Sequence, residues 1–175
     1  MLSDYHAALL LKSSSYILFT LAIAQLVYAV YLDLTTAKFP NKFFLTYLGL
    51  NIFMVLILRG FGGVGVSLIT MLVAILILAP IYYVRMLGGG DIKLIFALSP
   101  LLLLDEFLGF LAMSFIWAGV FGLFRSLLGG NLRALLSNTI FVGRKVTVAQ
   151  DSMPFTVGIL LGWLSYKTFL SVGLL

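Results

Sequence analysis

Long apolar runs, broken at a few short polar or glycine-rich intervals, set the pattern of this chain. A helix needs about 20 apolar residues to cross a bilayer, and on that measure the runs predict about six spans. They cover about residues 16–32, 43–58, 64–84, 92–104, 107–127 and 153–170. Pro80 is predicted to kink the third near its end. The fourth is short and carries Pro100, so it is expected to tilt little or to be shielded by its neighbours. Glycines gather at residues 60–65, 88–90 and 129–130, all predicted boundaries. One long connection, about residues 128–152, separates the last two spans. There Leu132, Leu135, Leu136 and Ile140 approach helical spacing with Arg133 and Asn138 between them, which predicts an interfacial amphipathic helix.

Composition agrees with this pattern. The chain is 62% hydrophobic and 10% charged, with a mean hydropathy of +1.18. Those values describe an all-α polytopic membrane protein, one integral-membrane domain over residues 1–175, with a lipid bilayer as its solvent. A net charge of +5 can signal nucleic acid, but the basic residues sit beside apolar runs and form no stripe or tail. No nucleic-acid partner is expected. The absence of cysteine removes disulfides, thiolate metal sites and cysteine nucleophiles. His6, the single histidine, lies in the N-terminal segment, which nearly excludes histidine-based triads. That segment is weakly basic, contains Asp4 and has no convincing cleavage site, so the first helix is read as retained.

Lysine and arginine placement gives an orientation. Lys38, Lys42, Arg85, Lys93, Arg125, Arg133, Arg144 and Lys145 fall on one side, against Lys12, Arg59 and Lys167 on the other. The positive-inside rule then puts the first group in the cytoplasm and both termini outside.

Candidate chemistry rests on few residues. Asp91 follows three glycines at the head of an apolar segment, where an ionisable group is expensive and a functional role is the default hypothesis. Six acidic residues exist in all, so its possible partners can be checked in turn. Asp4, Asp105 and Glu106 fall on the opposite side. Asp151 is on the same side, near the start of the sixth span, and stays open by position. Asp33 ends the first span, two spans before Asp91, so the two share a side and a depth. An Asp at a helix end is ordinarily a boundary residue or cap, and Lys93 alone reads as an interfacial charge.

The run Gly88-Gly89-Gly90-Asp91-Ile92-Lys93 resembles the Gly-x-Gly-Asp motif of type IV prepilin peptidases, intramembrane-type aspartyl proteases. Asp33-Leu34-Thr35-Thr36-Ala37-Lys38-Phe39-Pro40-Asn41 is similar to that family's first catalytic segment. Met153-Pro154-Phe155 is similar to the Pro-Phe at the start of its last helix, although Thr156 and Val157 stand where small residues are usual. The resemblance implies Asp33 and Asp91 as the catalytic pair, with Gly88 and Gly90 serving backbone geometry. Lys38, Pro40, Asn41, Lys93, Pro154 and Phe155 would be supporting residues. It further implies removal of a short basic leader from a prepilin or pseudopilin at the cytoplasmic face of the inner membrane. Larger members carry a cysteine-rich cytoplasmic domain and methylate the product. This chain has no cysteine and resembles the short, peptidase-only branch associated with Tad/Flp pili.

In such a pair one carboxylate acts as base toward water and the other as acid toward the scissile carbonyl. Neither a metal nor another cofactor is expected. Desolvation and mutual repulsion would raise at least one pKa, against a helix N-terminus and Lys93 acting the other way on Asp91. The rival readings are a transport or channel protein using the acids as ion ligands, an inactive pilus-assembly scaffold, and a serine-lysine protease built on Ser165 and Lys167 or Ser14 and Lys12.

Overall fold

A computed structural model describes residues 2–36, 40–84, 87–128 and 155–172, with side chains over 16–35, 40–84, 87–124 and 155–170. These residues form α1 (Leu2–Thr36), α2 (Asn41–Tyr83), α3 (Gly89–Leu98), a 3₁₀ turn (Ser99–Leu101), α4 (Leu104–Leu128) and α5 (Phe155–Val172). The predicted interfacial helix, Lys38, Arg85, Asp151 and Pro154 lie outside the described residues. Among the described residues three stretches are long and apolar enough to cross a membrane: Tyr16–Thr35, Asn41–Tyr83 and Leu104–Phe124. Within the bilayer a helix satisfies all its backbone polar groups internally, which is why such sequences fold this way.

The predicted gap between the second and third spans appears as one residue. Gly60 has φ 68° and ψ −169° inside α2, a left-handed conformation that side chains with a Cβ resist. Contacts with α3 show that the two halves of α2 run in opposite directions. Asn41 meets Lys93, the Phe44 ring lies tilted beside that of Phe96 and Asn51 reaches the Ala97 carbonyl. On the other half, Ser67 donates to the Pro100 carbonyl at 2.6 Å, while Tyr82 lies beside Gly89. Pro80 lies inside the second half of α2, and helical dihedrals continue through it to Tyr83.

α3 is the centre of the bundle. Leu94, Ile95, Ala97 and Leu98 are all fully buried, and a short helix that is apolar all round must be enclosed by others. Pro100 ends it in the 3₁₀ turn, so the predicted fourth span is a ten-residue helix followed by a turn. Trp163 of α5 fills the neighbouring space, edge-on to Phe110 and stacked near Phe19.

Two devices hold these helices together where no hydrophobic force separates lipid from protein. One is polar. Gln25 and Asn51 exchange amide hydrogen bonds of 2.7 and 3.0 Å, and Asn51 also donates to the Ala97 carbonyl at 2.7 Å. This buried triangle joins α1, α2 and α3. The other is steric. Gly158 and Gly162, four residues apart, form a small-residue seam against Ala118 and Ser114 of α4. A Cβ at Gly162 would stand 2.6 Å from the Ser114 backbone, so the two helices approach too closely for any larger residue.

Candidate active site

α1 runs antiparallel to α5, with Phe19 beside Trp163 near one end and Asp33 beside Thr156 near the other. The Asp33 end of the bundle also holds the starts of α2, α3 and α5. Glu106, Lys167 and Arg59 share the opposite end, in the lining of one small cavity. The grouping of ends therefore separates Asp33, Lys42, Asp91 and Lys93 from Arg59, Glu106 and Lys167.

Asp91 sits in the opening turn of α3, ahead of its apolar residues. Gly88 is the N-cap residue, which places Asp91 at the third helical position, where a carboxylate can reach back to the cap. Space for that reach comes from the glycine: a Cβ on Gly88 would lie 3.0 Å from Asp91 Oδ2. A Cβ on Gly89 would meet nothing nearer than Tyr82 Cε2, at 3.8 Å. The first motif glycine thus serves the acid itself, while the middle position tolerates a side chain.

Asp33 and Asp91 come together electrostatically. Burial pushes the Asp91 carboxyl up to about 6, and the nearby Asp33 carboxylate pushes it in the same direction. Backbone amides at Gly88 and Asp91 partly offset the rise. Lys93, expected to help stabilise the charge, instead donates from Nζ to Asn41 Oδ1 at 2.7 Å. It ties the segment after Asp91 to the segment after Asp33. Pro40 precedes α2 in extended backbone and its carbonyl accepts from the amides of Phe43 and Phe44, so Pro40 and Asn41 set the start of that helix.

One residue at the site was not foreseen. Thr156 Oγ1 donates to Asp33 Oδ2 at 2.7 Å, across 123 residues of sequence. Its departure from the usual small residue after Pro-Phe was the available signal. Phe155 packs its ring 5.9 Å from Phe115 and fixes the start of α5 against α4. The pairing of Ser165 with Lys167 does not occur: Ser165 accepts from Trp117 Nε1, and Lys167 bonds Glu106.

Residues 20–123, which include both Asp33 and Asp91, match the model of the type IV leader peptidase family. The chain belongs to that family. Membership makes it a leader-peptidase-like protease, and its apolar helices suit a membrane protein. Thr156 falls outside the matched segment of the leader peptidase. No curated protein and no solved structure matches the chain.

Proposed function

We propose that the protein is an aspartyl endopeptidase that removes the short basic leader from a type IV prepilin or pseudopilin, with Asp33 and Asp91 as its catalytic pair. The observation that carries the reading is the electrostatic coupling of these two acids at one end of the bundle, inside the family match. A carboxyl raised to about 6 and a neighbouring carboxylate form a pair that can hold one proton between them near neutral pH.

The reaction needs nothing else in kind. One carboxylate takes a proton from water as the water oxygen bonds to the scissile carbonyl carbon. The other gives its proton to the carbonyl oxygen, producing a neutral tetrahedral diol. Collapse returns a proton to the second carboxylate and breaks the C–N bond, with the first delivering its proton to the departing amine.

The same reading extends to topology. The reversal at Gly60 divides α2 into two passes, and with α1, α3, α4 and α5 the chain would cross six times, the third crossing returning to the Asp end. Tyr28, Tyr31, Tyr82 and Tyr83 are exposed around that end, the placement of an interfacial aromatic belt. Lys42 and Lys93 at that end support a cytoplasmic side of a bacterial inner membrane, where a prepilin leader resides, with both termini outside. The cysteine-free chain fits the peptidase-only, Tad/Flp-like branch without methyltransferase activity. Co-expression with a prepilin tests the reading: Asp33→Asn and Asp91→Asn should each abolish processing, and Asp151→Asn should not.

A further inference from the structure

We infer that Thr156 is the positioning residue of Asp33, and that its hydroxyl assigns the two acids different roles: Asp33 the ionised base, Asp91 the proton-carrying acid. The inference rests on the catalytic pair proposed above and adds a third member to it.

The geometry is asymmetric at the carboxylates. Thr156 Oγ1 lies 2.7 Å from Asp33 Oδ2 as donor, and Thr156 is 4% exposed. A hydroxyl has one proton to give, and here it is committed to the carboxylate. Donation of this kind favours the ionised acceptor and fixes the direction of its remaining lone pairs. Among the described residues no hydroxyl donates to Asp91: its donors are backbone amides in its own turn, and burial favours its neutral form. The proton shared by the pair therefore resides on Asp91, and Asp33 receives the proton of the attacking water.

Thr156 is also well placed to hold a fixed position. It lies two residues before Gly158, where the seam between α5 and α4 begins, with a Cβ there only 3.4 Å from the Ala118 amide nitrogen. Phe155 adds the ring contact with Phe115 on the same side. The hydroxyl is thus mounted beside the glycine seam between α5 and α4, whereas Asp33 lies near the end of α1. α5 orients the Asp33 carboxylate through this bond.

Purified protein acting on a synthetic prepilin leader substrate, with Thr156→Val, Thr156→Ser and Thr156→Ala, tests the assignment. Valine keeps the shape and removes the hydroxyl. It should lower kcat by about 10–100-fold through misorientation of the base, with KM within a few-fold. The acidic limb of the pH–rate profile should move to higher pH, because the ionised base has lost a donor. Serine should stay within a few-fold of the original chain with its limb unmoved. Should the valine protein fail to accumulate, alanine against serine is read in the same way. A valine or alanine variant with the original kcat and pH profile overturns the inference, as does a serine variant as impaired as valine. Asp33→Asn and Asp91→Asn in the same assay keep the two claims apart. Loss in both with an unaffected Thr156→Val removes the role of Thr156 alone, while activity in either Asn variant removes the pair.

Discussion

Lys93 Nζ donates to Asn41 Oδ1 at 2.7 Å, so the residue two places after Asp91 is joined to the residue eight places after Asp33. This bond closes the two acid-bearing segments on each other and takes Lys93 away from charge neutralisation at Asp91. Lys93→Met and Asn41→Ala should each reduce prepilin processing by about 3–10-fold, with the double variant no worse than the singles, as for two residues sharing one interaction. Additive losses in a double-mutant cycle would show that the residues act separately.

Of the glycines before Asp91, Gly88 needs the space and Gly89 does not. Gly88→Ala brings a Cβ to 3.0 Å from Asp91 Oδ2 and must rotate or shift that carboxylate. Processing should fall by about 3–10-fold, since even a displacement of a few tenths of an ångström misaligns a reacting group. Gly89→Ala meets Tyr82 at 3.8 Å, an ordinary contact, and should keep near-full activity. Cleavage rates of the two variants at matched membrane levels check the contrast; equal losses would contradict it.

Asp91 links stability to pH with a definite sign. Its carboxyl is raised from the usual 3.8 to about 6, so the folded protein holds the proton more tightly than the unfolded chain. The associated stability is fully present below about pH 4 and is lost as pH rises through about 6. At roughly 1.4 kcal/mol per pH unit, the full difference has a ceiling of about 3 kcal/mol. Asp91→Asn, a neutral stand-in for the protonated acid, should raise the melting temperature of detergent-solubilised protein at pH 7–8, the gain vanishing near pH 4. A destabilised variant across the whole range would contradict the buried, strained charge.

The apolar, all-helical character of the chain and its candidate acids are legible in the sequence because each is a local pattern. Apolar runs mark helices, the glycine-rich segment around Gly60 marks a reversal, and the motifs around Asp33 and Asp91 carry their own spacing. Partnerships made across the bundle leave no such trace. Thr156 reaches Asp33 over 123 residues, and Gln25 finds Asn51 over 26, so neither bond follows from a window of sequence. The ten-residue α3 looked too short for a span because enclosure by other helices, not its length, is what makes it stable there. Gly60 carries the reversal inside α2, because only glycine takes up the positive φ without steric cost.

Cleavage of a prepilin leader by the purified protein in liposomes, with Asp33→Asn and Asp91→Asn beside it, tests the catalytic pair most directly. Each variant should insert normally and lose cleavage by about 10³-fold or more, the scale of removing a group that acts as one unit with its partner. Processing at the original rate by either variant would contradict the pair.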